Sequence, residues 1–325
     1  MIRFDEIEDK TKWNEFLSQN GGSFTESWEW GEVQRKEGGK VSRFFICEGN
    51  EILGAVAIYV KRTPAGSYGY IPRGPAIGER VFDRNEWEEF VKLLHDFSKA
   101  KDLIFLLWEP LKEGEFGELK KTKGRQPAKT ILIDLSKPLE DLLRDINKTK
   151  RYGIRHAEGD GTKIVLSDKS DKDFDKFWKL MRVTASRKHF GTFGEEHFRN
   201  IFKEGITELF LAEYDNEVEA ASEVIFFGET AVYLHAGTSG KNERLTASYL
   251  LIWEILKEAK KRGLKYFDLW GIDEKRWPGV TAFKKSFGGY EVSFPDARIL
   301  INKRFGYLIY KLMHLARRVL TLGKG

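Results

Sequence analysis

Apolar and polar residues follow strand and helix rhythms along this chain, and the same order of rhythms occurs twice. "GNEILGAVAIYV" from Gly49 is a turn followed by a strand-length apolar run, and "DNEVEAASEVIFF" from Asp215 repeats it about 166 residues further on. "SYGYIPRG", with Tyr68 and Tyr70, and "AVYLHAGT", with Tyr233 and His235, come next in the two copies. A polar loop and an amphipathic helix follow in each: "NEWEEFVKLLHDF" carries Trp87, and "LLIWEILKEAKKRG" carries Trp253 at the same offset. Each helix leads into a short hydrophobic strand, "LIFLLWEP" or "YFDLWGID". Trp87, Trp108 and Trp253 read as core. The pattern predicts a tandem duplication of an α/β (α+β) unit, each a mixed twisted sheet flanked by helices; two copies are too few for a solenoid.

Between the copies lies the Lys-rich stretch "ELKKTKGRQPAK", Glu118 to Lys129, then the strand "TILIDL" and a helix opening near Leu139. These signals put the first domain at 1–145 and the second at 146–325. The tail, Asn302 to Leu320, spaces Phe305, Leu308, Ile309, Leu312, Leu315, Ala316 and Val319 as one helical stripe among Lys303, Arg304, Lys311, Arg317 and Arg318. Such a helix either packs on its own domain or rests on an anionic membrane surface.

The chain of 325 residues is 41% hydrophobic and 14% aromatic, which excludes disorder, and its net charge of +5 permits an anionic partner without requiring one. Cys47 is the single cysteine, so no intrachain disulfide can form, and no Cys/His spacing suggests a metal site. The acidic start "MIRFDEIEDK" lacks the order of a secretion signal and no apolar run reaches membrane-spanning length, so a cytoplasmic protein is expected, with peripheral membrane contact through the tail.

The block "AVYLHAGTSGKNERLTASYLLIWEILKEAKKRGLKYFDLWGID" resembles the acyl-donor half of a GNAT acetyltransferase. Two GNAT-like domains in tandem, with "SFTESWEWGEVQRKEGG", "YIPRGPAIG", "KTKRYGIRHAEGDGTKI", "LAEYDNEVEAASEVIF" and "TAFKKSFGG" in order, resemble the FemABX family of aminoacyl-tRNA-dependent peptidyltransferases. No long heptad run is present, so the resemblance is to the compact type without a helical arm. It implies transfer of an aminoacyl group from aminoacyl-tRNA to the stem-peptide amine of a peptidoglycan precursor, lipid II or UDP-MurNAc-pentapeptide. No cofactor is implied, because the charged tRNA is the co-substrate.

The resemblance also implies site residues. The family's catalytic lysine follows a phenylalanine, which maps to Phe283 and Lys284, with Lys285 a solvated neighbour. A cation there offsets the charge that develops on the ester carbonyl oxygen. Precursor binding is implied for Tyr70, Arg73 and Gly74 in "YIPRGP", for Tyr233, and for Arg35 or Lys36, since Gln34 stands where the family commonly has a lysine. The basic run Lys148, Lys150, Arg151 and Arg155 is either a solvated helix face or a grip on the tRNA backbone. Asp268 ends a strand, where turn chemistry is the commoner role. No general base is assignable, because the loop after Pro75 runs Ala76, Ile77, Gly78, Glu79.

Two other readings compete. An acyl-CoA-dependent N-acyltransferase wants a Gly-rich loop of the Q/R-x-x-G-x-G/A kind before the helix, and "TSGKNERLTASYLL" lacks it. A non-catalytic RNA- or membrane-associated protein on the same fold would not need the Phe283–Lys284 pair.

Overall fold

A computed structural model describes residues 1–117, 119–188, 193–240 and 246–322. Glu118, at the head of the Lys-rich stretch, and residues 241–245 of the loop before the helix of the second copy lie outside the described residues. The chain separates into two units, Met1–Gln126 with Phe294–Gly325, and Pro127–Ser293.

In unit 1, β1 (Ile2–Glu6) is followed by α1 (Lys10–Gln19), a 3₁₀ turn at Phe24–Glu26, α2 (Trp28–Lys36), β2 (Lys40–Glu48), β3 (Glu51–Thr63) and β4 (Gly66–Gly74). Then come α3 (Arg84–Ala100), β5 (Phe105–Pro110) and β6 (Lys120–Thr122). Unit 2 runs through β7 (Lys129–Asp134), α4 (Leu139–Asp145), α5 (Lys148–Gly159), β8 (Lys163–Leu166), α6 (Asp171–Lys188), α7 (Glu195–Glu204), β9 (Thr207–Tyr214), β10 (Glu217–Phe227) and β11 (Thr230–Thr238). It finishes with α8 (Ala247–Lys261), β12 (Tyr266–Asp268), α9 (Pro278–Lys285) and β13 (Tyr290–Ser293). The chain then returns to unit 1 as β14 (Ala297–Ile301) and α10 (Arg304–Leu322).

The sheets are ordered β1-β2-β3-β4-β5-β14-β6 and β13-β7-β12-β11-β10-β9-β8. Strand for strand they correspond. β3 and β4 form an antiparallel pair and β4 and β5 a parallel one, with α3 as crossover; β10, β11, α8 and β12 repeat that scheme. Asp215 and Asn216 both take positive φ, +47° and +61°, as the tight hairpin turn between β9 and β10 requires.

The division corrects the expected boundaries of 1–145 and 146–325. β7 pairs with β12 and β13, so Lys129–Asp145 belongs to the second unit, while β14 pairs with β5 and β6 and takes α10 into the first. The first sheet is completed by β14, from after the second copy, and the second by β7, from before it, pairings that local patterning does not encode.

α3 begins with a capping box between Asp83 and Glu86 and buries Trp87, Phe90 and Leu94 on one face. There Trp87, Phe90, Phe116 and Trp108 of β5 pack ring on ring, with Trp108 5.4 Å from Phe90 and 4.8 Å from Phe116. Such pairs add about 0.5–1.5 kcal/mol each beyond area burial. In unit 2 one sheet face packs on α8, through Leu250, Leu251 and Ile255, and includes Trp253, Tyr233 and Phe267. The opposite face carries a second cluster, Phe174, Phe177, Phe198, Leu211 and Ala221, under α6 and α7.

Candidate active site

The second unit holds a lysine whose surroundings differ from those of an ordinary surface cation. Pro278 starts α9 in its first turn, where a missing N–H costs nothing. The helix carries Lys284 and Lys285 in its last turn, and they diverge. Lys285 is exposed and sits 2.5 Å from both Glu274 and Glu291, which raise its pKa. Half-buried Lys284 donates from Nζ to the carbonyl oxygens of Trp270 at 2.8 Å and Gly271 at 2.9 Å. Burial lowers the pKa of its ammonium to about 8, against the opposing pull of Asp268.

That carbonyl pair is built by the end of β12. The buried Asp268 accepts the Trp270 N–H at 2.7 Å and the Thr130 hydroxyl on the same oxygen, Oδ1. Trp270 takes φ +57°, a left-handed conformation that is rare for a bulky side chain and is held here by the Asp268 bond. Leu269 N–H to Ile131 and Ile272 N–H to Lys129 anchor the segment to β7 on either side. An ammonium has three donors, and among the described residues the two carbonyls take two of them.

Phe283 points to the core side, 5.3 Å from Phe287 and 5.9 Å from Tyr249. Lys150 joins this ring group, 4.0 Å over the Tyr249 ring and 2.7 Å from its hydroxyl. Arg151 donates to the carbonyl of Arg144 at 2.7 Å and to that of Ile146, closing the end of α4. Lys148 and Arg155 are exposed. The basic run therefore divides: two members serve local structure, and two face solvent. Tyr233 packs in the core against α8, with its phenol pKa raised by burial, and does not present the open hydroxyl expected of a precursor-binding residue.

In the first unit, Tyr70 donates to Glu109 Oε1 at 2.9 Å, and Glu109 also accepts the backbone N–H groups of Arg125 and Gln126 at 2.7 and 3.0 Å. Burial and the Glu109 charge push the Tyr70 phenol well above its usual range. Arg73, at φ +56°, lays its buried guanidinium 3.2 Å from the Phe294 ring centre. Gly74 is needed as glycine, because a Cβ there would stand 2.2 Å from Glu26 Oε1. Glu26 is fully buried, receives only the Ala57 N–H on Oε1, and leaves Oε2 without a hydrogen-bond partner among the described residues. Desolvation raises its pKa well above the ordinary carboxylate range. Arg35 is exposed beside Glu32 at 3.6 Å, and Lys36 is exposed one residue on. Tyr70, Arg73 and Gly74 thus lie at the end of β4, beside the turn at Thr25 and Glu26, and Arg35 and Lys36 lie on a separate element at the end of α2.

Sequence patterning assigns no site role to Glu26, Glu109 or the pair Glu223–His235. Their signal is a carboxylate set among apolar or aromatic neighbours, "SFTESW", "LLWEP" and "ASEVIFF".

A model of the FemAB family matches residues 9–115 and 203–316. The chain belongs to the FemAB family. Among FemAB-like relatives, the lipid II:glycine glycyltransferase of Staphylococcus haemolyticus (strain JCSC1435) is 21% identical over 362 residues, covering 83% of this chain and 85% of that protein. The enzyme of the same name from Staphylococcus aureus (strain MRSA252) is 27% identical over 228 residues, covering 62% of this chain and 52% of that one, about half its length. The crystal structure of FemX superposes with a TM-score of 0.81 at 17% identity, over 94% of this chain and 99% of that one. A tandem GNAT protein from the clavulanic acid biosynthesis pathway gives 0.55 at 10% identity, over 93% and 98%. The fold is therefore two GNAT-like domains in tandem, as in FemX.

Proposed function

We propose that this FemAB-family chain is an aminoacyltransferase that moves an aminoacyl group from the ester of aminoacyl-tRNA to the stem-peptide amine of a peptidoglycan precursor. The amine nitrogen attacks the ester carbonyl, and negative charge collects on the carbonyl oxygen. The remaining N–H of Lys284 meets that charge. It acts from a half-buried position where the surroundings are less polar than water and the interaction is correspondingly stronger. The observation that carries the reading is the pair of carbonyls, Trp270 and Gly271, that hold the ammonium and aim it. The names of the relatives favour a lipid-linked acceptor. Arg35 and Lys36 offer charge to its pyrophosphate, the turn built on buried Tyr70, Arg73 and Gly74 borders its place in the first unit, and Lys148 and Arg155 offer charge to the tRNA backbone.

Contact with a membrane surface fits a lipid-linked acceptor. Among the described residues no helix is long and apolar enough to cross a bilayer. α10 instead docks by Tyr307 and Tyr310, 5.2 and 4.8 Å from Phe105, and turns Phe305, Leu308, Leu312 and Leu315 outward, each at least 53% exposed. The side chains of Arg317, Arg318 and Val319 lie outside those described. Asn302–Gly325 contains no acidic residue, so the outward stripe is framed by positive charge alone.

The test is incubation with a mixture of charged tRNAs and stem-peptide precursors, with acetyl-CoA in a parallel reaction, followed by product mass. An aminoacyl adduct on the precursor is expected. An acetyl adduct in its place, or no adduct, contradicts the proposal.

A further inference from the structure

The sheet face that carries Thr130 and Asp268 also carries a carboxylate–imidazole pair, Glu223 and His235. Phe267 packs toward α8, so Asp268 faces the other way, and so does its parallel partner Val232 on β11. Tyr233 returns to the α8 side. Next, the register of β10 and β11 slips between Glu223 and Val224, which leaves Leu234 unpaired and puts His235 opposite Glu223. Without that slip the alternation of side chains would place His235 differently. With it, His235 lies on the face of Asp268, three residues along the strand, or about 10 Å at the usual rise.

Glu223 is fully buried on a central strand, where an isolated charge is costly. His235 relieves it: Nδ1 lies 3.0 Å from Oε2, while the Thr207 hydroxyl approaches Oε1 at 3.5 Å. The imidazole is 19% exposed and is braced by Phe198, with ring centres 4.8 Å apart. The other groups near it are His197 on α7, at 6.4 Å between ring centres, and Arg187 on α6, which bonds Thr238 further along β11. A carboxylate on Nδ1–H fixes the tautomer whose Nε2 carries the lone pair. Nε2 has no hydrogen-bond partner among the described residues.

We infer that His235 takes the proton from the attacking amine and that Glu223 positions it. The inference rests on the transfer reading above. Lys284 cannot fill this role while its ammonium donates to two carbonyls. The step balances: the amine lone pair forms the C–N bond to the ester carbonyl carbon, and the C–O bond to the ribose oxygen breaks. The N–H proton passes to Nε2 and then to the departing oxygen, so the histidine ends as it began. Glu223 stabilises the imidazolium in between.

The test uses the full chain and the charged-tRNA assay. Absence of product with the wild type would refute the transfer reading itself; the outcomes below apply once the wild type transfers. His235→Ala is expected to lower kcat at least 100-fold with KM for both substrates within twofold, and added imidazole to restore part of the rate. Glu223→Gln is expected to lower kcat about tenfold. A wild-type kcat in His235→Ala, or a loss that imidazole does not relieve, overturns the inference. Independently of activity and of any variant's folding, ¹⁵N spectra of the wild-type imidazole are expected to show Nδ1–H for His235. The Nε2–H tautomer overturns the inference.

Discussion

The ends of β4 and β5 in the first unit and of β11 and β12 in the second are copies of one design, yet they treat their polar groups in opposite ways. In the first, Glu109 is saturated by Tyr70 and by two backbone N–H groups, and burial pushes the pKa of Glu26 well above the carboxylate range. These groups hold the "YIPRGP" turn and the loop at Arg125 in place. In the second, Asp268 twists Trp270 into a left-handed conformation, and the twisted chain offers two carbonyls to an ammonium. Duplication supplied two sheet ends with the same geometry. In the first the carboxylate is filled by three donors, and in the second two backbone carbonyls hold an ammonium, the arrangement that the proposed electrostatic role draws on.

The largest effect that would sharpen this contrast is at α9. Lys284→Met is expected to reduce single-turnover transfer by 100-fold or more, about 2.7–4 kcal/mol for one donor, while the chain stays folded. Lys285→Met, which loses only exposed ion pairs, should stay within twofold. Similar rates in the two variants would erase the distinction between the lysines.

A smaller effect tests the scaffold side. In the unfolded chain Glu26 ionises in the ordinary carboxylate range, whereas in the folded chain burial raises its pKa well above that range. The unfolded state therefore releases its proton first, and stability falls as pH rises through that interval. Glu26→Gln removes the dependence, so its melting temperature should gain on the wild type at pH 8 relative to pH 4. Parallel melting curves at the two pH values would mean that Glu26 is ionised in the fold.

The smallest effect separates the two halves of the basic run. Replacing exposed Lys148 and Arg155 with Glu should weaken charged-tRNA binding and flatten its salt dependence, by roughly 0.9 in slope for each phosphate no longer neutralised. Lys150→Met should chiefly lower the melting temperature, because its ammonium is bound to Tyr249. Equal loss of tRNA affinity in both would place Lys150 among the residues that grip phosphate.

The duplicated fold was legible because strand alternation and helical stripes are local: "GNEILGAVAIYV" and "DNEVEAASEVIFF" became β3 and β10, and the helices and strands that follow them agree. The crossing of β14 and β7 into their sheets was not, since the pairing of Ile299 with Leu107 joins residues nearly two hundred positions apart. Lys284 was reached through the motif it shares with a family. Its partners were invisible because they are backbone carbonyls, positioned by a positive φ at Trp270 that no side-chain pattern announces. The burial of Tyr233 was not announced by its place in "AVYLHAGT"; alternation along β11 turns it toward α8. His235 and Glu223 were hidden by a one-residue slip in register, which reverses the face of everything beyond it.

The most direct test of the account is the pH dependence of transfer in the wild type and in Asp268→Asn. Lys284 must be protonated to act, so the wild-type rate should fall above about pH 8. Asp268 raises the pKa of that ammonium, and its neutral replacement should move the alkaline limb to lower pH. A rate that stays level through pH 9 in the wild type, or a limb that does not move in Asp268→Asn, would contradict the claim that Lys284 works as an ammonium tuned by its surroundings.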